Sequence, residues 1–278
     1  MIPVVDLAHG DAARTLRAAC EELGFFTVVG HGVDARAVEE VAEVSRRFFD
    51  QAPEEKERFA GPGTVPGLPV YRPLRSERLG ATGDGTPAAD LKESLDWGPS
   101  LDGVDWPPGL QRPYVTYLSH MHRLARRLRG TIALALGRDE DAFEERFDDQ
   151  SSSLRVINYP DPDEETVPGQ LRAGAHRDYG FLTILRSDDA PGGLEVQTLD
   201  GEWIPVTPPP DAFVCNIGDL LADWTDGRWT STLHRVAVPP PEAAVGSRRQ
   251  SLVFFHNPAD EASREYILRK AAAAFGTA

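Results

Sequence analysis

A series of short apolar or alternating segments, separated by turn signals, constrains the fold of this chain more than any other feature. The segments lie after Ser151 and read LRVINYP, FLTILRS, LEVQTL, EWIPVT, FVCNIG, LHRVAV and SLVFF. Asp-Gly pairs and proline runs separate several of them, including Asp200-Gly201 and Pro239–Pro241. Because short strands at such spacing pair in antiparallel fashion, the pattern predicts two facing sheets, a jelly roll or double-stranded β-helix.

The first part of the chain has a different pattern, in which strand-like and helix-like segments alternate. IPVVDL and GFFTVVG predict strands, and DAARTLRAACEEL has a helical composition. A second helix is predicted by apolar residues at helical spacing and should stop near Ala52-Pro53; these residues are Val38, Val41, Val44 and Phe48. We therefore expect an N-terminal α/β region.

The middle of the chain predicts a long loop followed by a long helix. Residues 61–110 are rich in Gly, Pro, Ser and Asp without a sustained period, which indicates loops with short strands. Apolar residues in steps of three and four predict a helix from Tyr114 to Leu136, and ADEASREYILRKAAAAF predicts a closing helix. The expected fold is mostly β with flanking helices. We expect residues 1–110 to form the α/β region and residues 111–278 to hold the long helix, the jelly-roll core and the C-terminal helix. The first region should pack on the second, so that the chain is one structural unit.

The charge balance limits the class of partner. The chain has 29 basic and 44 acidic residues and a formal net charge of −15, so its field repels phosphate backbones and anionic lipids. We expect a small-molecule partner, no nucleic acid and no membrane, with a monomer as the favoured state. The start MIPVVDLAHGD lacks the pattern of a signal peptide, and Cys20 and Cys215 lack metal-type spacing, so a cytoplasmic protein with reduced thiols is expected.

One stretch, GAHRDYGFLTIL, places two metal-binding residue types beside an apolar run. Residues two apart in a strand point to the same face, so the side chains of His176 and Asp178 would converge. His234 begins the run LHRVAV in the same way. His-x-Asp with a distant His is the facial triad of non-haem Fe(II) oxygenases, which leaves three coordination positions open. A hydrogen-bonded His–Asp pair at a strand end would give the same local sequence, so both interpretations stay open at this point.

A second short motif suggests a different class of enzyme. Gly30-x-Gly32-x-x-Ala35 follows a predicted strand and precedes a helix, which is the outline of a dinucleotide-binding turn. A nicotinamide-dependent dehydrogenase is therefore an alternative. Such a unit needs a second parallel strand after the helix, whereas here the helix leads into APEEKERF and a loop. A tight turn between strand and helix is the favoured interpretation of the glycines.

Several segments, in order, resemble one family across nearly the whole chain. IPVVDL, ACEELGFFTVVGHGV and RRFFDQAPEEKERF are similar to the N-terminal region of the isopenicillin-N-synthase-like Fe(II)/2-oxoglutarate-dependent dioxygenases. The later segments DLKESLDWG, LRVINYP, AHRDYGFLTIL, GGLEVQTLDGEWIPV, NIGDLLADWTDGRWTSTLHRV and RRQSLVFFHNP resemble that family's later motifs.

This resemblance implies a set of site residues. It implies iron bound by His176, Asp178 and His234, and a carboxylate bound by Arg249 and Ser251, the family's Arg-x-Ser pair. A guanidinium forms a planar fork to a carboxylate, and a serine two residues on lies on the same strand face. Tyr159 matches the tyrosine that helps to hold the co-substrate in many relatives, although it would also fit core packing. Ile157 stands where many relatives have asparagine, so that contact is absent or shifted.

The same resemblance implies an activity. The expected enzyme uses Fe(II), 2-oxoglutarate and dioxygen to oxidise an unactivated C–H bond of a small molecule, most simply by hydroxylation, with desaturation or cyclisation as other outcomes, in secondary metabolism. Relatives that use no 2-oxo acid also carry Arg-x-Ser, so a 2-oxoglutarate-independent iron oxidase is an alternative. A jelly-roll module that binds a metal without turnover is a further one.

Substrate contacts are expected from the variable loops and from the mouth of the barrel. The candidates are Tyr71, Arg72, Phe181, Trp224, Phe255 and Asn257. Aromatic residues also fill cores, and we favour a solvent-exposed Arg72 over one that pairs with a substrate. Arg177 should point away from the metal into a salt bridge, with a substrate contact as the alternative, and Asp219 should have a structural role.

Overall fold

The computed structural model describes residues 2–60, 69–80, 88–97, 106–149, 151–163 and 165–275. Twelve strands occur within these residues: β1 (Val4–Asp6), β2 (Phe25–Val29), β3 (Pro69–Arg72), β4 (Glu93–Trp97), β5 (Ser153–Tyr159), β6 (Ala173–His176), β7 (Leu182–Ser187), β8 (Leu194–Gln197), β9 (Trp203–Pro205), β10 (Phe213–Ile217), β11 (His234–Val236) and β12 (Arg249–His256). The α-helices are α1 (Ala12–Glu22), α2 (Ala35–Phe49), α3 (Pro53–Glu57), α4 (Gln111–Ala135), α5 (Asp219–Trp224) and α6 (Glu261–Phe275).

The strands form two sheets, as the sequence predicts for a jelly roll. The large sheet has eight strands in the order β1-β2-β10-β7-β12-β5-β4-β3, and the small sheet has the order β6-β11-β8-β9. The β1–β2 pair is parallel, and the other pairs of the described strands are antiparallel. The seven predicted segments are confirmed as β5 and β7–β12, whereas β6 was not predicted.

Strand alternation divides the large sheet into two faces. On β12, Leu252 and Phe254 belong to the main core on the helical side. Arg249, Ser251 and Val253 alternate with them in sequence, and they line a cavity on the opposite face. Because the side-chain period of a strand is two, the same pattern that builds the core also brings polar residues to one wall of this cavity.

The helices cover the other face of the large sheet. α1 and α2 pack against α4. The apolar side of α4 is buried as predicted, and it includes Tyr114, Leu118, Met121, Leu124, Leu128 and Ile132. Cys20 and Cys215 are buried free thiols, as expected. In the described residues, no helix is both long and apolar enough to cross a membrane.

The described part of the N-terminal region does not contain the dinucleotide-binding unit that Gly30 and Gly32 suggested. The neighbours of β2 are β1 and β10, and the strand that follows α2 and α3 is β3, at the opposite end of the sheet. Gly30 and Gly32 have φ values of 63° and 72°, as a tight turn requires. Parts of the loop expected over 61–110 fall at 61–68, 81–87 and 98–105, outside the described residues. The division at residue 110 stays a prediction.

Candidate metal centre

Two histidines of the centre are neighbours in the small sheet. His176 ends β6, His234 begins β11, and the two are directly opposed in the antiparallel register. Asp178 does not lie in a strand, contrary to the reasoning from strand alternation, because β6 ends two residues before it. Its backbone oxygen instead accepts a hydrogen bond of 2.8 Å from the N–H of Asp219, at the start of α5. The convergence of the His176 and Asp178 side chains was correctly predicted, but Asp178 reaches the site from a loop and not from a strand.

The three side chains present one ligand atom each to a common point. Nε2 of His176 lies 3.9 Å from Oδ1 of Asp178, and Nε2 of His234 lies 3.8 Å from the same oxygen. All three ligand atoms lie within 4.8 Å of one another. This spacing suits three ligands on one side of a single ion.

The other polar atoms of these side chains already have partners. Nδ1 of His176 lies 2.8 Å from the Gly174 carbonyl oxygen, and Nδ1 of His234 lies 3.1 Å from that of Thr232. A carbonyl only accepts, so each Nδ1 carries the proton and each Nε2 has a free lone pair. Two imidazoles and one carboxylate, with no fourth protein ligand among the described residues, are the donor set of a non-haem Fe(II) site.

The electrostatics favour the protonation states that bind a metal. Burial and the neighbouring His234 lower the pKa of His176, so its imidazole is neutral at neutral pH. Burial alone would raise the pKa of Asp178, but the two imidazoles and two hydrogen bonds outweigh burial and lower it. The site therefore holds a carboxylate beside the neutral imidazole of His176 before any ion binds.

A second polar group lies on the facing wall of the same cavity. Arg249 and Tyr159 are cross-strand partners on β12 and β5, and Ser251 follows Arg249 on the same face. The guanidinium of Arg249 donates to the Ala190 carbonyl oxygen at 2.8 Å and to Oγ of Ser187 at 2.7 Å. Arg249, Ser251 and Tyr159 are each at most 8% exposed. A buried guanidinium with a hydroxyl beside it is suited to bind a carboxylate.

The rest of the cavity wall is mostly apolar, with two further cations. The apolar lining residues are Phe25, Leu79, Ile157, Ala173, Leu185, Leu194, Val236, Val253 and Phe255. Lys92 and Arg155 also line the cavity. The sequence reasoning missed both of them, although Arg155 alternates with Ile157 and Tyr159 on β5 and could have been assigned to their face by that spacing.

Of the six substrate candidates, Phe255 lines this cavity and the structure places the other five elsewhere. Phe181 is fully buried against Phe147 and Trp224 in the main core. Asn257 accepts a hydrogen bond from the backbone N–H of Phe181 at 3.2 Å. Phe181, just before β7, and Trp224, at the end of α5, follow the core-packing alternative, because both pack in the main core on the helical side of the sheet.

Tyr71 and Arg72 belong to the β3–β4 hairpin and contact carboxylates. The Tyr71 hydroxyl donates to Glu93, and the side chain is 4% exposed. Arg72 does not lie free in solvent as expected, because its Nε donates to Asp96 at 2.6 Å. Pairing of β3 with β4 brings this carboxylate to it.

Arg177 and Asp219 flank the centre without lining the cavity. Arg177 donates from Nε to the Ser231 carbonyl oxygen at 2.9 Å, so its partner is a backbone oxygen where a salt bridge was expected. Asp219 accepts a hydrogen bond from Lys270 of α6 at 2.9 Å, in keeping with the structural role predicted for it.

Comparison with known proteins identifies relatives in one group of oxygenases. A family model described as the 2OG-Fe(II) oxygenase superfamily matches residues 151–258, and one described as non-haem dioxygenase in morphine synthesis N-terminal matches residues 2–114. The chain is 37% identical to a homoarginine-6-hydroxylase of Glycine max, over 81% of this chain and 72% of that protein. It is 31% identical to validamycin A dioxygenase of Streptomyces hygroscopicus subsp. limoneus, over 94% and 78%. The crystal structure of a full-length Neurospora crassa protein in complex with alpha-KG superposes with a TM-score of 0.85 at 28% identity, over 98% of this chain and 96% of that one.

Proposed function

The chain belongs to the 2OG-Fe(II) oxygenase superfamily, and from this we propose that His176, Asp178 and His234 bind the iron while Arg249, Ser251 and Tyr159 bind 2-oxoglutarate. The observation that supports the iron site is the set of free atoms, two Nε2 and one Oδ1, whose side chains are otherwise fixed by hydrogen bonds. The enzyme class itself, an Fe(II)- and 2-oxoglutarate-dependent oxygenase, follows from the family.

Iron and 2-oxoglutarate, when bound, supply the oxidation of a substrate C–H bond by dioxygen, coupled to conversion of the co-substrate into succinate and CO2. The chain's own residues bind and orient the co-substrate and the substrate. Arg249 can form a two-point contact with a carboxylate, Ser251 can add one hydroxyl, and the apolar wall around Val253 and Phe255 excludes water from the reacting carbon.

We infer that the reaction is a hydroxylation of a small molecule in secondary metabolism. Support comes from two relatives, one named a homoarginine hydroxylase and the other a dioxygenase of validamycin A. Desaturation and cyclisation stay alternative outcomes, and the cytoplasmic location stays a prediction.

The test combines purified protein with Fe(II), dioxygen and 2-oxoglutarate and measures succinate formation without added substrate. We expect slow succinate formation that requires both iron and 2-oxoglutarate. Arg249→Lys should raise the apparent constant for 2-oxoglutarate about 10- to 100-fold, because an ammonium group cannot form the two-point contact. Ser119→Ala, a change on the exposed side of α4, is the control and should leave this constant unchanged. An unchanged constant in Arg249→Lys would remove Arg249 from the co-substrate site.

A further inference from the structure

Lys92 and Arg155 are the charged residues of the described cavity wall that the iron and co-substrate sites do not use. Lys92 immediately precedes β4 and is 3% exposed, and Arg155 lies on β5, next to β4 in the sheet. Neither has a role in the site proposed above. A buried and a half-buried cation on the wall of a mostly apolar cavity need an explanation.

The counter-charges of this pair lie behind the wall. Arg155 donates to Asp96 at 2.6 Å and to Glu77 at 3.3 Å. Lys92 contacts Glu77 and Asp90, each at 3.2 Å. These three carboxylates are absent from the described lining of the cavity. With Arg72, which pairs with Asp96, the group has three cations and three carboxylates, and its cationic side faces the cavity.

The pair keeps hydrogen-bond donors for a ligand. A guanidinium has five N–H groups and an ammonium has three, and the contacts with Glu77, Asp90 and Asp96 use only part of them. An uncharged, apolar group seated against these donors would leave them desolvated and without acceptors, which is unfavourable. A carboxylate would supply acceptors in the plane of the guanidinium.

The backbone of Arg155 lies some distance along the strands from that of Arg249. Arg249 is the cross-strand partner of Tyr159, whereas Arg155 is the partner of Val253, four residues along the same strands. At about 3.3 Å per residue the two positions are separated by roughly 13 Å. The backbone positions of Arg155 and Arg249 therefore lie at separate parts of the cavity wall.

We propose that Lys92 and Arg155 bind the carboxylate of the oxidised substrate, and that the substrate is a small carboxylic acid with an apolar body. The inference rests on the proposed function, since it assigns the substrate of that same site. The apolar residues that line the same cavity, including Ile157 and Phe255, form the surface for the body of the substrate. Arg155 and Lys92 thereby determine specificity by rejecting uncharged analogues.

The first experiment measures binding without turnover. Wild-type protein carrying Fe(II) and 2-oxoglutarate is kept anaerobic and titrated with benzoate, phenylacetate, phenylpropanoate, cyclohexanecarboxylate and octanoate, each compared with its primary amide. We expect acids that fit the cavity to bind about 10- to 100-fold more tightly than their amides. If no acid binds more tightly than its amide, the proposal is overturned. Failure of the proposed function would instead appear as absent succinate formation in air.

The second experiment uses two charge-balanced variants of the same group. Arg155→Gln with Asp96→Asn removes one cation that faces the cavity and one carboxylate behind it. Arg72→Gln with Asp96→Asn removes the same charges but leaves the wall intact, because Arg72 lies behind it. The Arg155→Gln/Asp96→Asn variant should lower acid affinity towards amide affinity, and the Arg72→Gln/Asp96→Asn variant should keep the full preference for acids. Thermal melts confirm that both variants fold.

Three results would contradict the assignment. If the Arg155→Gln/Asp96→Asn variant keeps the full preference for acids, Arg155 does not contact the carboxylate. Preference lost in both double variants would show that the ionic group only shapes the wall. If the apparent constant for 2-oxoglutarate rises in the Arg155→Gln/Asp96→Asn variant but not in the Arg72→Gln/Asp96→Asn variant, Arg155 belongs to the co-substrate site. The single variant Arg155→Lys keeps the positive charge and should therefore keep part of the preference for acids over amides.

Discussion

At the scale of single residues, the carboxylate of Asp178 has two oxygens with different surroundings. Oδ1 faces the two imidazoles, whereas Oδ2 accepts hydrogen bonds from Oγ1 of Thr183 at 2.5 Å and from Nδ2 of Asn216 at 2.7 Å. Thr183 and Asn216 are cross-strand partners on β7 and β10, so the large sheet fixes the orientation of a ligand that the loop supplies. Partners of this kind commonly contribute about 10- to 100-fold to metal affinity.

Asn216→Ala should therefore weaken Fe(II) binding by about 10- to 100-fold, as measured by competition with a chelator. Asn158→Ala is the matched control, because Asn158 is also a buried strand asparagine that binds a carboxylate, that of Glu93, away from the metal ligands. The control should lower thermal stability and leave the iron affinity unchanged. Equal affinity in wild type and Asn216→Ala would show that Asp178 needs no such support.

Individual residues could be predicted where a local pattern identified them. His234 was indicated by its position at the start of an apolar run, whereas Arg249 and Ser251 were assigned through the family resemblance of their Arg-x-Ser motif. All three line the same cavity. The position of Arg72 could not be predicted, because its partner Asp96 is brought to it only by the pairing of β3 with β4. Contacts between charged side chains distant in sequence leave no periodic signal.

At the scale of elements, the short helix α5 holds the loop that carries Asp178. The N–H groups of Asp219 and Leu220 donate to the backbone oxygens of Asp178 and Tyr179, and that of Gly218 donates to Phe181. Gly218 lies so close to the loop that a Cβ atom on it would be 2.2 Å from the Gly180 oxygen. Backbone cannot move aside as a flexible side chain can, so this position requires glycine for steric reasons.

Gly218→Ala should push α5 away from the loop, lowering the free energy of unfolding by about 1–3 kcal/mol and weakening iron binding about 10-fold or more. Chemical denaturation and chelator competition measure the two effects. Gly10→Ala serves as the control, since nothing lies within 4 Å of a Cβ atom there, and it should change stability by about 0.5 kcal/mol at most. A Gly218→Ala variant with wild-type iron affinity would contradict the role given to α5.

Elements were predictable in proportion to their length and periodicity. The α4 pattern repeats over 25 residues, and the seven apolar runs give β5 and β7–β12. Strand β6 has four residues, AGAH, without a large apolar side chain, so no alternation could reveal it. The sequence at α5 predicts only a Gly-Asp turn, because the six residues of this helix are too few to show a helical period.

At the scale of the whole molecule, the buried ionic group couples stability to pH. Burial alone would raise the pKa of Glu77, but the charges of Arg155, Lys92 and Arg72 outweigh burial and lower it to about 2 from 4.5. A carboxyl group with a lowered folded-state pKa stabilises the fold above its unfolded pKa and loses that contribution as pH falls towards the folded value. The contribution at neutral pH is about 3 kcal/mol.

The wild-type protein should therefore lose about 3 kcal/mol of its free energy of unfolding between pH 4.5 and pH 2 as Glu77 becomes protonated. Glu77→Gln should be less stable than wild type at pH 7, and the difference should shrink as the pH approaches 2. Denaturant titrations across this range measure it. The control, Glu21→Gln, removes an exposed partner of Arg17 and should change stability by less than about 1 kcal/mol. A constant difference at all pH values would show that Glu77 stabilises the fold without its charge.

The strand order of the large sheet also determines what a shorter chain would expose. Residues 1–110 contribute β1 and β2 beyond β10, and β4 and β3 beyond β5, so they cover both flanks of the jelly-roll strands. The outermost strands have only three and four residues, and β3 begins with Pro69, as protected edges often do. A fragment of residues 111–278 would lack these covers and present the open hydrogen-bonding edges of β10 and β5. Such edges pair with other chains, so the fragment would be prone to edge-to-edge aggregation.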